Sequence, residues 1–275
     1  MVHKKINMFS DNYYASFVNL SHRQDRFTHM MEQLNKHGIN ATRTAGMKVE
    51  DVENKLAPSH KLRTMLTRTP GAVGCHFAQC QVMKDALARD KHAIVFEDDI
   101  VFCEDFAKRW AYIENWMQSN EWDVFWLGSS FHVNPPYWHR KEGSQDVRNN
   151  ASAGLGYDAK LTGDPRIIRT YGAFATFAYV VNKNSIQKIF DLFDEHLHES
   201  IGIDWLFIQL EPQLKTFAFL PGCVKQIDNQ SDIGNGVTVW SGFFQLNGTK
   251  ENSAYVYQER MEDFEPSNFN WAECR

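Results

Sequence analysis

The sequence lacks any apolar run near the ~18 residues that a membrane span needs. It has no CxxC pair, and its five cysteines (75, 80, 103, 223 and 274) are odd in number. Paired disulfides and a cysteine-based zinc site are therefore not expected, and the thiols read as reduced in a cytosolic protein. The basic start, "MVHKKINMFSDNYYASF", lacks the continuous apolar stretch of a signal peptide. Five N-x-S/T sequons, at Asn19, Asn40, Asn150, Asn229 and Asn247, are accordingly read as chance matches. There is no surplus of basic charge: the net charge of -5 gives no global field of the kind that drives nucleic-acid affinity, although a local patch stays open. No internal repeat or interdomain linker is evident, and no histidine follows His198.

What is present is core material. Of the 275 residues, 43% are hydrophobic and 13% aromatic, which does not read as a disordered chain, and the length allows one large domain or two small ones. "YASFVNL" reads as a buried strand. After it, Phe27, Met30, Met31 and Leu34 fall at helical spacing, with Ser21 as N-cap and Gly38 as stop. "INATRTAG" then reads as a second strand, a strand-helix-strand start that favours a parallel sheet.

The alternation continues. "GAVGCHFAQCQVMKDALARD" is predicted helical and feeds the strand "HAIVF"; "CEDFAKRWAYIENWMQ" is a helix with its acids in the first turn, and "WDVFWLG" is a strand. Residues 129–165, rich in Gly, Pro, Ser and Asn, break the pattern and read as a long loop, functional or disordered, whose aromatic cluster favours one that packs onto something. "YGAFATFAYVV", "NSIQKIFDLFDEHL", "GIDWLFIQL" and "KTFAFL" read as strand, helix, short helix and strand. Residues 221–275 read as an irregular segment packed on the rest of a single domain spanning 1–275.

The sharpest feature is "HAIVFEDDIVF". Three consecutive carboxylates, Glu97, Asp98 and Asp99, stand between two apolar segments. Like charges that close repel and are costly to desolvate, so water, a cation or a cation-bearing substrate should compensate them. An isolated "EDD" is more often a solvated turn. At the carboxyl end of a strand in an α/β sheet, it sits where such folds bind ligands. Oxygen ligands of this type suit Mg²⁺ or Mn²⁺ carried with a phosphate group. In "SFVNLSHRQDR", Asp25 and Arg26 read as surface residues of a helix start. The functional alternative is a turn that cradles a nucleotide, with Arg23 or Arg26 facing phosphate.

"FVNLSHRQDR", "TRTAG", "GAVGCHFAQCQVMKDAL" and "AIVFEDDIVF" resemble, in order and spacing, glycosyltransferase family 25, the lipooligosaccharide-type galactosyltransferases and their collagen-modifying relatives. "YGAFATFAYVVNKNSIQKIF", "GIDWLF" and "QSDI" extend the resemblance over most of residues 15–235. It implies an α/β GT-A-type fold, a mixed and mostly parallel sheet flanked by helices, with "EDD" as a DXD-like motif. It implies a metal-dependent, inverting transferase of lipopolysaccharide-type biosynthesis that moves galactose or glucose from a UDP-sugar to a hydroxyl of a glycan, protein or other macromolecule. A nucleic-acid acceptor is not excluded, and Arg140, Lys141, Arg148, Arg166 and Arg169 would form its basic groove.

Carried onto this chain, the resemblance makes Asp99 the first metal ligand for Mn²⁺ or Mg²⁺. Glu97 and Asp98 contact the metal, its water or the donor. Asn19, Arg23, Arg26 and Gln79 contact the nucleotide-sugar, and Asp204 is the catalytic base with Glu199 in reserve. Asp204 reads almost as well as a helix N-cap. Gln79 stands where the family often has histidine, and Asp232 or Asp228 stands in for a late histidine metal ligand. These departures keep two rivals open: a non-catalytic carbohydrate- or protein-binding relative, and another nucleotide-sugar or nucleotidyl transferase.

Overall fold

The structure is a computed structural model that describes residues 7–55, 70–131, 160–170, 173–196, 202–210, 213–227, 229–230, 237–238 and 257–265. The chain begins as the alternation predicts, with β1 (Tyr13–Asn19), α1 (Gln24–His37) and β2 (Thr42–Ala45), and then forms a short helix that the pattern did not include, α2 (Val49–Lys55). Next come α3 (Pro70–Leu87), β3 (His92–Phe96), β4 (Ile100–Phe102), α4 (Phe106–Ser119) and β5 (Val124–Phe131). β6 (Lys160–Leu161), β7 (Ile167–Arg169), β8 (Ala173–Val181), α5 (Ile186–His196) and α6 (Ile203–Leu210) follow. β9 (Thr216–Phe219), β10 (Val224–Gln226), β11 (Asn229–Gln230) and β12 (Val237–Thr238) complete the described elements, apart from short 3-10 turns.

Eight strands form one mixed sheet in the order β2-β1-β3-β8-β5-β9-β7-β6. The pairings β1–β2, β1–β3 and β5–β9 are parallel. Only β8 and β7 run against the other strands, each antiparallel to both of its neighbours. The sheet is thus mixed and mostly of one direction, as the sequence pattern indicated. β2 lies on one side of β1 and β3 on the other, so the strand order reverses direction between them. Ligands of open α/β sheets bind beyond the carboxyl ends of strands at such a reversal. Asn19 ends β1, and Glu97 follows β3.

Local sequence explains the elements. Met30 and Leu34 of the α1 stripe are buried, Phe27 is half-buried and Met31 is exposed. Gly38 ends α1 in the left-handed conformation, with φ 65°. Ser21 is not the N-cap. The helix starts at Gln24, Arg23 occupies the cap position, and Ser21 offers its carbonyl to Gln24 Nε2 at 2.7 Å. Likewise the acids before α4 precede its first turn. Asp105, at the cap position, pairs with Arg109 Nε at 2.7 Å and accepts from the Met261 amide at 2.6 Å.

The predicted long loop begins and ends in strand: β5 continues to Phe131, and Lys160–Leu161 pairs with β7. Residues 132–159 lie outside the described residues. Of residues 221–275, which read as irregular, the described ones include paired backbone. Gly222 bridges Tyr257, and β10 pairs antiparallel with β4. The fully buried Arg109 ties this region down, donating to the carbonyls of Pro221, Gly222 and Gln258 at 3.1, 2.6 and 2.7 Å. Gly128 makes the close approach of β10 to β5 feasible. A Cβ there would lie 2.6 Å from the Val224 carbonyl oxygen and 2.4 Å from the Phe177 ring.

Candidate active site

Glu97, Asp98 and Asp99 form the turn from β3 into β4. The Glu97 amide donates to the Phe177 carbonyl of β8 at 2.8 Å, and the Ile227 amide donates to the Asp99 carbonyl at 2.9 Å. Main chain therefore fixes the turn at both ends. Apolar strands lead in and out, which holds the carboxylates partly out of water. Asp98 and Asp99 are buried, and Glu97 is half-buried.

Several donors compensate the three acids. Asn19 Nδ2 donates to Asp98 Oδ2 at 2.6 Å, and Arg26 Nη1 donates to Asp98 Oδ1 at 2.9 Å. The same Arg26 nitrogen stands 3.3 Å from Asp99 Oδ2. Gln226 Nε2 is shared between Glu97 Oε2 at 2.8 Å and Asp99 Oδ1 at 3.1 Å. Gln79 Nε2 reaches Glu97 Oε1 at 3.2 Å, and the Cys75 thiol faces the same oxygen at 3.8 Å. Tyr179 OH holds Gln79 in turn, donating to its Oε1 at 2.7 Å.

Compensation is incomplete. Burial pushes the Glu97 carboxyl well above its ordinary range, and Asp99 and Asp98 push it further, against the opposing charge of Arg26. Burial also raises Asp98, and its bonds to Asn19 and Arg26 pull it back. Asp204 is close enough to add to the upward push on both Glu97 and Cys75, whose thiol burial raises first. Asp204 lies in the first turn of α6, two residues past the cap position, where the helix dipole favours its charge.

The structure therefore brings together Asn19, Arg26, Gln79, Glu97, Asp98 and Asp99, with Asp204 within electrostatic reach. It does not bring Arg23 to the acids: its guanidinium forms a two-point pair with exposed Asp25, at 3.0 and 2.8 Å. That pair lowers the Asp25 carboxyl to about 2. Asp232, Asp228, Glu199, Arg140, Lys141 and Arg148 lie outside the described residues. Arg166 and Arg169 direct their guanidinium groups at main-chain carbonyls, Arg166 at Leu220 and Phe264, Arg169 at Leu214 and Thr216. These bonds tie down the fold around β9.

Gln226 carries no sequence signal for the site. It lies in a segment that reads as irregular, and a three-residue strand has too few positions for a period to show. Cys75 and Tyr179 likewise read from sequence only as helix and strand residues.

Among the described residues, no three His, Cys, Asp or Glu side chains form a ready-made metal cage. The chemistry of the cluster nevertheless fits a hard divalent cation. Among the described residues, three carboxylates face one guanidinium. Asn19 Oδ1 and Gln226 Oε1, on residues 1% and 7% exposed, lack a hydrogen-bond partner among the described residues. Buried oxygen acceptors beside surplus negative charge are the donors that Mg²⁺ and Mn²⁺ take.

No helix among the described residues is long and apolar enough to cross a membrane. No curated protein sequence is significantly similar to the chain. Among solved structures, UDP-glucose pyrophosphorylase from Acinetobacter baumanii is similar with a TM-score of 0.38 and 10% identity, over 78% of this chain and 88% of that one. A mannose-1-phosphate geranyltransferase from Thermus thermophilus gives 0.39 and 11%, over 78% and 75%. Mouse xyloside xylosyltransferase 1 in its apo form gives 0.36 and 11%, over 73% and 68%. The sequence profile of glycosyltransferase family 25 (LPS biosynthesis protein) matches residues 14–205, a span that holds nearly all of β1, α1, the acidic turn and Asp204. The chain belongs to glycosyltransferase family 25.

Proposed function

We propose that this glycosyltransferase moves a hexose, galactose or glucose, from a UDP-sugar to an acceptor hydroxyl with inversion, and that it depends on Mn²⁺ or Mg²⁺. The observation that carries this reading is the sheltered trio Glu97, Asp98 and Asp99 at the strand-order reversal, where burial and the neighbouring acids raise Glu97, with Asp204 close by. A divalent cation held by Asp99 and Glu97, with Asp232 as a further ligand, would supply positive charge against the diphosphate of the donor.

The chain's own groups do the rest. Asn19 and Gln226 hold the carboxylates in place as neutral donors, so they add no charge that competes for the site. Gln79, anchored by Tyr179, holds Glu97 from the other side. Asp204 takes the proton of the acceptor hydroxyl as that oxygen attacks the anomeric carbon from the face opposite UDP. Asp204 sits half-buried in the first turn of α6, within electrostatic reach of Glu97. The acceptor is a glycan, a protein or another macromolecule. The family description, an LPS biosynthesis protein, supports a glycan first. Residues 129–165 contribute to acceptor choice.

The test is UDP release from a panel of UDP-sugars with Mn²⁺, with Mg²⁺ and with EDTA, for wild type beside Asp99→Ala. Slow hydrolysis of one donor, abolished by EDTA and by the substitution, is the expected result. Absence of turnover together with absence of any metal-dependent thermal shift on adding UDP would overturn the reading in favour of a binding protein.

A further inference from the structure

Arg26 is placed on the acids in a way that bears on when a cation can be held. Its Nη1 lies 2.9 Å from Asp98 Oδ1 and 3.3 Å from Asp99 Oδ2, with side-chain exposures of 12%, 9% and 7% for the three residues. Pairs this sheltered are weakly screened by salt, and a guanidinium keeps its charge at any working pH. Arg26 thus acts as a fixed internal cation on two of the three carboxylates. Among the described residues, Asn19, Gln79 and Gln226 also donate to the acids, as neutral amides.

We infer that Arg26 is the resident counter-ion of the acidic turn and competes with the divalent cation for Asp99, so that cation and nucleotide bind together. This rests on the metal-dependent reading above. Two cations on one carboxylate repel, and a divalent ion drawn to Asp99 meets the guanidinium already there. A diphosphate changes the balance. It offers Arg26, in the first turn of α1, a partner of higher charge and bidentate geometry. Once Arg26 turns to the diphosphate, Asn19 still holds Asp98 and Gln226 still holds Asp99, so the carboxylates keep their positions without it. Arg23, by contrast, pairs with the exposed Asp25. Arg26 is in this sense a positioning residue: it holds the acids in the resting protein and yields them when donor arrives.

The experiment measures Mn²⁺ binding to the full chain by electron paramagnetic resonance of the free ion, with and without UDP, for wild type, Arg26→Met and Arg26→Gln. Thermal melts in EDTA read any folding loss separately, and Arg26→Gln keeps a hydrogen-bond donor for Asp98 without the charge. Without UDP, both variants should bind Mn²⁺ about tenfold or more tightly than wild type. UDP should tighten Mn²⁺ binding strongly in wild type and much less in the variants. A merely structural role predicts the opposite sign, because a disordered acidic turn binds Mn²⁺ more weakly. Wild type that binds Mn²⁺ with UDP, beside variants whose UDP-free affinity is unchanged or weaker, would overturn the inference and leave the metal-dependent reading standing. Wild type that binds neither Mn²⁺ nor UDP would overturn both.

Discussion

Gln226 Nε2 donates to Glu97 Oε2 at 2.8 Å across 129 positions of sequence, and the same nitrogen reaches Asp99 at 3.1 Å. One neutral amide therefore joins two carboxylates that would otherwise repel, and it does so from β10, the strand that pairs with the outgoing arm of the acidic turn.

Gln226→Leu removes that bridge while keeping most of the volume. The chain should stay folded, because Arg109 and the β4–β10 pairing still hold the segment. Affinity for UDP with Mn²⁺ should fall about tenfold, the size expected when a group that orients a metal ligand is lost. Gln226→Glu would add a fourth acid and should weaken the fold, seen as a lower melting temperature in EDTA. Calorimetric titration of UDP with Mn²⁺ reads the first effect. An unchanged affinity in Gln226→Leu would remove Gln226 from the site.

Glu97→Gln should make the protein more stable and less active. The Glu97 carboxyl keeps its proton to higher pH in the folded chain than in the unfolded chain, because burial and the neighbouring Asp99 and Asp98 oppose its charge. From the ordinary value of 4.5 upward, the folded state therefore binds more protons than the unfolded state, and the Glu97 contribution to stability falls as pH rises. Glutamine keeps the shape and has nothing to ionise. In EDTA the melting temperature of the variant should match wild type near pH 4.5 and exceed it by about 2–5 °C at neutral pH. Donor hydrolysis should drop at the same time, as expected where function stores unfavourable charge.

The sequence made the first half of this site visible and hid the second. The helical stripe of α1, the run of β3 and the break in apolar character at Glu97 are local patterns, so β1, α1 and the acidic turn could be read directly. Gln79 was reachable because it occupies a position where the family carries another polar residue. Gln226 reaches Glu97 from 129 positions away and Tyr179 reaches Gln79 from 100, and no local periodicity encodes such partners. Arg23 and Arg26 looked equivalent in "SHRQDR". Three residues of helix rotation separate them, enough to send one to Asp25 and the other to the acids. Charge alone could not reveal that Arg169 supports β9, because an arginine that binds carbonyls is chemically the same residue as one that binds phosphate.

His92, which opens β3, should set an acid limit on stability. Its Nδ1 accepts from the Lys183 amide at 3.1 Å, and its ring packs between Tyr13 and Trp122. Burial, helped by the charge of Lys183, lowers its pKa from 6.5 to about 4. The unfolded chain therefore takes up a proton first. The stability contributed by neutral His92 is complete above 6.5 and lost as pH falls towards about 4. His92→Gln should flatten the stability curve through that window, measured by urea unfolding at a series of pH values. A slope identical to wild type would show that His92 does not titrate differently on folding.

Asp204→Asn separates two roles that its position on α6 allows. As a carboxylate in the first turn of a helix, Asp204 is worth about 0.3–1 kcal/mol to the fold, and asparagine there would shift the melting temperature slightly and leave turnover alone. As the base that accepts the acceptor proton, it should be worth about 10²–10⁴ in kcat, with donor affinity nearly unchanged because asparagine touches no phosphate. Asparagine also removes one of the charges that raise Glu97, so donor and Mn²⁺ binding should hold steady or improve. The expected pattern is a large fall in kcat for transfer beside equal or tighter binding of UDP with Mn²⁺, read by single-turnover transfer and by calorimetry on the same preparation. A small change in kcat would return Asp204 to the helix and move the search for a base to other carboxylates near the acidic turn.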